Sequence, residues 1–377
     1  MKKMILTAFA MLALAACTQK APESAVELFD AAAFATEIDG KPVSLYTLAN
    51  ENGMTVQVTN YGARVVDMWV PNAQGGFTDV VWGYENIEGY LGSNDLFCGP
   101  VVGRYGNRIG KGQFTLGETL YQLDVNEGEN TLHGGSKGFY NCVWDVKEAT
   151  GERLTLSYLS PDGEQGFPGN LSIEVTYAVT PDNSFTVTYR ATTDAPTVLN
   201  PTSHCYFNLH GTNAKSTDSH ILMIDADSFT PTDAALIPTG EIAGVEGTPL
   251  DFRTPTAIGE RIDADFEALK FGKGYDHNWV LNKRSRERTP VAAEVYEPST
   301  GIVMTVRTDQ PALQFYSGNA FAGKDTGKRG EKNTFRTGIA LETQNFPDAP
   351  NHENFPSSVL EPGQTYTQIA SYTFGVR

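Results

Sequence analysis

The chain has 377 residues, 40% of them hydrophobic and 11% aromatic, which is ample material for a large core in one or two domains. The formal charge is −17 with no block of like charge, so a nucleic-acid backbone would be repelled and no charged binding tail is present. Thirty-seven glycines with this aromatic content suit a strand-and-turn protein or one that binds sugars.

The N-terminus stands apart from the fold. Lys2 and Lys3 precede the apolar run MILTAFAMLALAA, too short to span a bilayer as a mature helix, so residues 1–16 read as a secretory signal. The run ends in LAAC, Leu14 to Cys17, which resembles the bacterial lipoprotein box. That resemblance implies cleavage before Cys17, lipid on its thiol and amine, and membrane attachment through that lipid alone. The alternative is an ordinary signal peptide with a chance cysteine. Thr18, where an aspartate commonly retains lipoproteins at an inner membrane, favours the outer membrane; periplasmic or surface orientation stays open. Residues 17–36 read as the lipidated N-terminus and a tether, and residues 37–377 as a single domain. Four cysteines occur, so with Cys17 lipidated only Cys98, Cys142 and Cys205 remain, allowing at most one disulfide. No CxxC or Cys/His spacing points to a metal.

From Thr36 onward the pattern is β. MTVQVTNYG (54–62) and ERLTLSYLS (152–160) are strand-like. LSIEVTYAVTPDNSFTVTYRA (171–191) alternates apolar and polar residues on either side of a turn, which predicts a hairpin with one buried face. Ile258, Ile262, Phe266 and Leu269 repeat at helical spacing, and GIVMTVRTD (301–309) returns to strand. In IALETQNFPDAPNHENFP (339–356), an apolar run stops on Glu342 and a breaker-rich segment follows, with Phe346 and Phe355 expected to pin it. Many short strands and little helix predict an all-β protein.

Six histidines make their settings informative. His133 lies in NTLHGGSKGF, where Gly134 and Gly135 would let backbone approach a ligand. His204 lies in NPTSHCYFNLHG, and His277 beside Asp276 in GYDHNW. VVGRYGNRIGKG adds Arg104 and Arg108 on a glycine-rich connection. Singly, such a histidine is more often a hydrogen-bonded structural residue, and such an arginine a solvated charge.

Taken in order, GRYGNRIGKG, NTLHGG, NPTSHCYFNL, GYDHNW, QFYSGN and ALETQNFPDAPN resemble the aldose 1-epimerases, the galactose mutarotases, over roughly Ile38 to Arg377. The resemblance implies a large antiparallel β-sandwich of the galactose mutarotase type with few short helices. It implies His204 as general acid and Glu342 as general base. Arg104, Asn107, Arg108, His133, Tyr206, Asp276 and Gln314 become the substrate-binding residues. Trp279 and Cys205 depart from the commoner residues at their positions, Trp279 with a possible effect on packing near the site. The implied substrate is a small free aldose such as glucose or galactose, acted on by a monomer with no metal and no organic cofactor.

The chemistry explains the residue types. Exchanging sugar anomers opens a hemiacetal: a base takes the O1 proton, an acid protonates O5, and closure follows rotation about C1–C2. A glutamate is ionised near neutrality, and a histidine needs only a modest upward pKa shift to donate, which Asp276 and Glu342 are expected to supply. Three rivals remain. A glycosidase could use Asp276 with Glu342. A non-catalytic sugar-binding lipoprotein could share the fold. A hexose-phosphate epimerase relative would need Arg104 and Arg108 as a phosphate site.

Overall fold

The computed structural model describes residues 26–212 and 215–377; the predicted signal and Cys17 fall outside them. Two antiparallel sheets dominate. The larger has nine strands, in the order 145–149, 153–160, 171–179, 184–193, 366–376, 302–308, 291–296, 221–224 and 256–257. The second has six, in the order 206–207, 339–344, 312–316, 276–281, 226–230 and 243–244. The sheets meet through Phe207 and Tyr372, whose rings lie 5.2 Å apart, and through the Tyr372 hydroxyl, which donates to the Leu341 carbonyl. A four-stranded sheet, 45–49, 55–59, 64–71 and 77–79, contributes Val56, Val58, Val65 and Met68 to the same core.

The predicted hairpin forms as Leu171–Val179 and Ser184–Thr193, paired from Leu171↔Thr193 to Val179↔Phe185. Along its first strand Leu171, Ile173, Val175, Tyr177 and Val179 are buried, as period-two alternation requires. Each such aliphatic side chain contributes about 1.5–3 kcal/mol by leaving water.

Three expectations need correction. The helical repeat from Ile258 does not give one helix. A 3₁₀ turn, Ile258–Glu260, is followed by the separate short α-helix Glu267–Gly272, while Ile258, Ile262 and Leu269 are still buried. Apolar spacing here records a buried face, not continuous backbone hydrogen bonding. The tether does not run to residue 36. Ala31–Phe34 forms a 3₁₀ turn capped by Asp30, Phe34 is fully buried, and the Phe29 amide donates to the Gln57 side chain. The strand carrying Glu342 does not end on it but runs Ile339–Gln344.

Among the described residues there are two α-helices, Ile87–Gly92 and Glu267–Gly272, and neither is long and apolar enough to cross a membrane. Cys98, Cys142 and Cys205 are free thiols.

Candidate active site

Strand register builds the site. Across three adjacent strands of the six-stranded sheet, Glu342 pairs with Gln314 and Gln314 with Asn278. Two residues away, Tyr206 pairs with Ala340, Ala340 with Tyr316, and Tyr316 with Asp276. Alternation puts these two rows on one face. Leu341 and Phe315 between these rows, and Phe207 and Trp279 on either side of them, point the other way into the sandwich core. One face therefore holds the sheets together and the other carries the chemistry. Trp279 belongs to the core face, with its indole N–H on the Leu250 carbonyl, so it does not shape the site directly. His277 is on that face too, accepting from the Asp276 amide at Nδ1.

The polar face forms the floor of a cavity of about 580 Å³. Its lining includes Asn107, Arg108, His133, His204, Tyr206, Asp276 and Glu342. His204 Nε2 lies 3.6 Å from Glu342 Oε1. Both residues are almost completely buried, and His204 Nδ1 and Glu342 Oε2 have no hydrogen-bond partner. The His204 ring is boxed by Tyr206, His133 and Phe97 at centroid distances of 4.8, 5.1 and 5.8 Å. Its backbone is fixed by hydrogen bonds with Pro100 and Gly99.

The expected upward shift of His204 is not what its surroundings produce. Burial pushes its pKa down to about 4, with backbone hydrogen bonding to the ring only partly opposing. Burial raises Glu342 well above the usual carboxylate range; Asp276 adds to this and Arg108 opposes it. Desolvation is the largest cause for both members.

Arg108 is the hub of the binding groups. Its guanidinium makes a two-pronged contact with Glu127, at 2.6 and 2.7 Å, and reaches Asp276 at 3.7 Å. Burial raises Asp276, while Arg108 and the Gln314 hydrogen bond oppose this. Gln314 shares this face but is not among the residues that line the cavity. It sits between Glu342 and Asp276 and donates to Asp276 Oδ1 at 2.7 Å. Arg104 is not in the site. Its buried guanidinium binds the Pro168, Gly169, Ser160 and Pro161 carbonyls and the Ser160 and Thr197 hydroxyls, which makes it a brace for three chain segments.

Gly134 also has a different task from the one its motif suggested. It sits at φ +90°, and a Cβ there would lie 1.8 Å from the Gly103 carbonyl oxygen, so the close approach is backbone on backbone. The turn it permits holds His133 against Asn107. The Asn107 amide donates to His133 Nδ1 at 3.1 Å, so the neutral ring carries its proton on Nε2. His133, His204 and Glu342 do offer ligand atoms within 4.8 Å of one another. With Nδ1 of His133 taken by an amide donor, its other nitrogen is a hydrogen-bond donor instead of a metal lone pair.

The breaker-rich segment after Gln344 does wrap the neighbourhood. Phe346 and Phe355 are buried with rings 5.0 Å apart, and Asp348 ties to both the Arg108 carbonyl and the Gly110 amide. It borders a neighbouring cleft of about 690 Å³, which shares Arg108, Glu127, Leu236 and Phe271 with the cavity but contains neither His204 nor Glu342. The chemistry belongs to the smaller space.

Sequence reasoning missed several cavity residues. Tyr316 was within reach: it lies two positions after Gln314 in QFYSGN, so period-two alternation places it on the same face. Asp95 and Phe97 come from an irregular stretch with no pattern to expose them.

A sandwich whose polar sheet face presents a buried imidazole–carboxylate pair in a cavity of about 580 Å³ defines an acid–base enzyme site of the sugar-epimerase kind. The family model described as Aldose 1-epimerase matches residues 44–373, and the chain belongs to that family. It is 40% identical over 323 residues to a galactose mutarotase from Bos taurus, covering 86% of this chain and 92% of that one. It is 38% identical over 339 residues to an aldose 1-epimerase from Escherichia coli K12, covering 89% and 96%. Among solved structures, an aldose epimerase homologue from C. elegans aligns with TM-score 0.82 at 28% identity, covering 89% of this chain and 99% of that one. A galactose 1-epimerase from Lactobacillus acidophilus aligns at 0.78 with 30% identity, covering 90% and 97%.

Proposed function

We propose that this chain interconverts the α and β anomers of free aldohexoses, with His204 and Glu342 moving the two protons. The observation that supports these roles is the 3.6 Å contact of the two side chains at the floor of a cavity that Arg108, His133 and Asp276 also line. Family membership and the mutarotase and epimerase relatives support the reaction.

The pair needs a single proton. Burial alone leaves it on the Glu342 carboxyl beside a neutral imidazole. A bound sugar changes the balance: O1–H donates to Glu342 and favours its anion, while O5 accepts from His204 and favours the imidazolium. Glu342 then takes the O1 proton as His204 delivers one to O5. The C1–O5 bond breaks, C1–C2 rotates, and the reverse transfers close the ring on the other face. The pair ends with the proton it began with. His133 Nε2–H and the Arg108–Asp276 pair hold hydroxyls in register. Proton movement alone accounts for the reaction, so the reading calls on no metal or organic cofactor.

A phosphate-bearing substrate fits less well. Arg104 is committed elsewhere, and Arg108 is already shared by two carboxylates. The cations left near the cavity mouth are the exposed Lys273 and Lys324. Polarimetry on freshly dissolved α-glucose, α-galactose and glucose 6-phosphate separates these readings. Faster rotation change with the free sugars supports the proposal; preference for the phosphate contradicts it.

The N-terminal reading is also a proposal: lipid on Cys17 would anchor the enzyme at the periplasmic or outer side of a membrane. The LAAC motif supports it, and radiolabelled fatty acid incorporation lost in Cys17→Ala tests it.

A further inference from the structure

The cavity holds a further acid that the reaction as described does not use. Asp95 lines it beside Tyr206, on the stretch before the strand Val101–Val102. Two contacts fix it. The Phe97 amide donates to Asp95 Oδ1 at 2.9 Å, and the Asp95 amide donates to Asp325 at 3.1 Å. Asp325 also accepts from the Asn94 amide and side chain, at 3.1 and 2.6 Å, which ties this stretch to the opposite loop of the cavity. The carboxylate is thus held in place without being used up. It has about four acceptor sites, and the Phe97 amide and the Tyr206 hydroxyl account for only part of them.

Its charge is poorly compensated. Among the described residues no lysine or arginine forms an ion pair with Asp95, unlike Asp276, which has Arg108. Burial pushes its pKa up to about 6, Asp325 adds to this, and the Phe97, Tyr206 and Arg64 interactions only partly oppose it. At neutral pH it is an ionised acceptor inside a cavity meant for hydroxyl donors, flanking Tyr206, whose ring packs on His204.

We propose that Asp95 is a specificity-determining residue of the aldose site, its carboxylate accepting a hydrogen bond from one hydroxyl of the bound sugar. This rests on the aldose 1-epimerase reading above. A hydroxyl–carboxylate bond in such surroundings is worth about 10- to 100-fold in kcat/KM.

The test is the deoxy series of the preferred sugar, 2-, 3-, 4- and 6-deoxy, run with wild type and Asp95→Asn. The asparagine retains an acceptor for the Phe97 amide. The expected result is a raised KM on the parent sugar with kcat nearly unchanged. For one deoxy sugar only, the wild-type-to-variant ratio should collapse to about one. An equal ratio across the series, or no loss on the parent sugar, overturns the assignment. If Asp95→Asn shows no melting transition, Asp95→Ser goes through the same series under the same criteria. Wild type inert toward every parent aldose would sink the underlying reaction and this role with it, and is recognisable because no variant is involved.

Discussion

His204 and Glu342 carry shifts opposite to those their roles first suggest, because both are taken out of water and their surroundings offset that only in part. The pair titrates as a unit. Its second proton arrives on His204 only as the pH falls through about 4, so activity should persist well below the ordinary histidine range and fail near that value. On the alkaline side it should decline only above the ordinary carboxylate range, as the single proton leaves the raised Glu342. Profiles of kcat/KM against pH, corrected for spontaneous mutarotation, read both limbs. An acid limb near ~6.5 would mean that His204 titrates as a free imidazole. The two arginines of GRYGNRIG separate just as sharply. Arg108→Met should raise KM about 10-fold or more, by leaving Asp276 and the sugar without their cation. Arg104→Met should leave KM nearly unchanged but lower stability by about 3 kcal/mol, since several buried acceptors lose their donor. Steady-state kinetics beside chemical denaturation distinguish the two.

At the scale of elements, the strand 339–344 does what its sequence half announces. Its apolar residues Ile339 and Leu341 face the core, and Glu342 takes the other face with Gln314 and Asn278 beside it. That alternation was legible, as was the hairpin 171–193. The partners across the sheet were not, because register depends on pairings between segments far apart in the chain. Arg104 shows the same limit: nothing in a glycine-rich motif tells which of two buried arginines reaches the cavity. The loop 321–333, which supplies Phe321, Lys324, Asp325 and Asn333 to the cavity wall, is anchored by a buried lysine. Lys328 has a fully buried side chain, contacts Asp79 at 2.5 Å and donates to the Val66 carbonyl at 2.9 Å. Lys328→Met leaves Asp79 with Arg329 alone and should cost about 3 kcal/mol. Because it also loosens one cavity wall, KM should rise with it. Unchanged stability in urea unfolding would contradict this anchoring role.

For the whole molecule, the two large sheets do different work from shared residues: one closes the core, and the other closes the core on one face and presents the site on the other. Composition and alternation made the all-β architecture legible, and the six ordered motifs made the family legible. The N-terminal docking of Phe34 and the broken helix after Ile258 were not, since both are set by tertiary packing. The central claim is that this framework holds one acid–base pair that moves both protons. Anomer exchange of the preferred aldose, followed by NMR with wild type and Glu342→Gln at neutral pH, tests it most directly. The amide keeps the shape and removes the proton acceptor, so exchange should fall by roughly 10²–10⁴ with the fold intact. A folded Glu342→Gln that exchanges anomers at the wild-type rate would contradict the account.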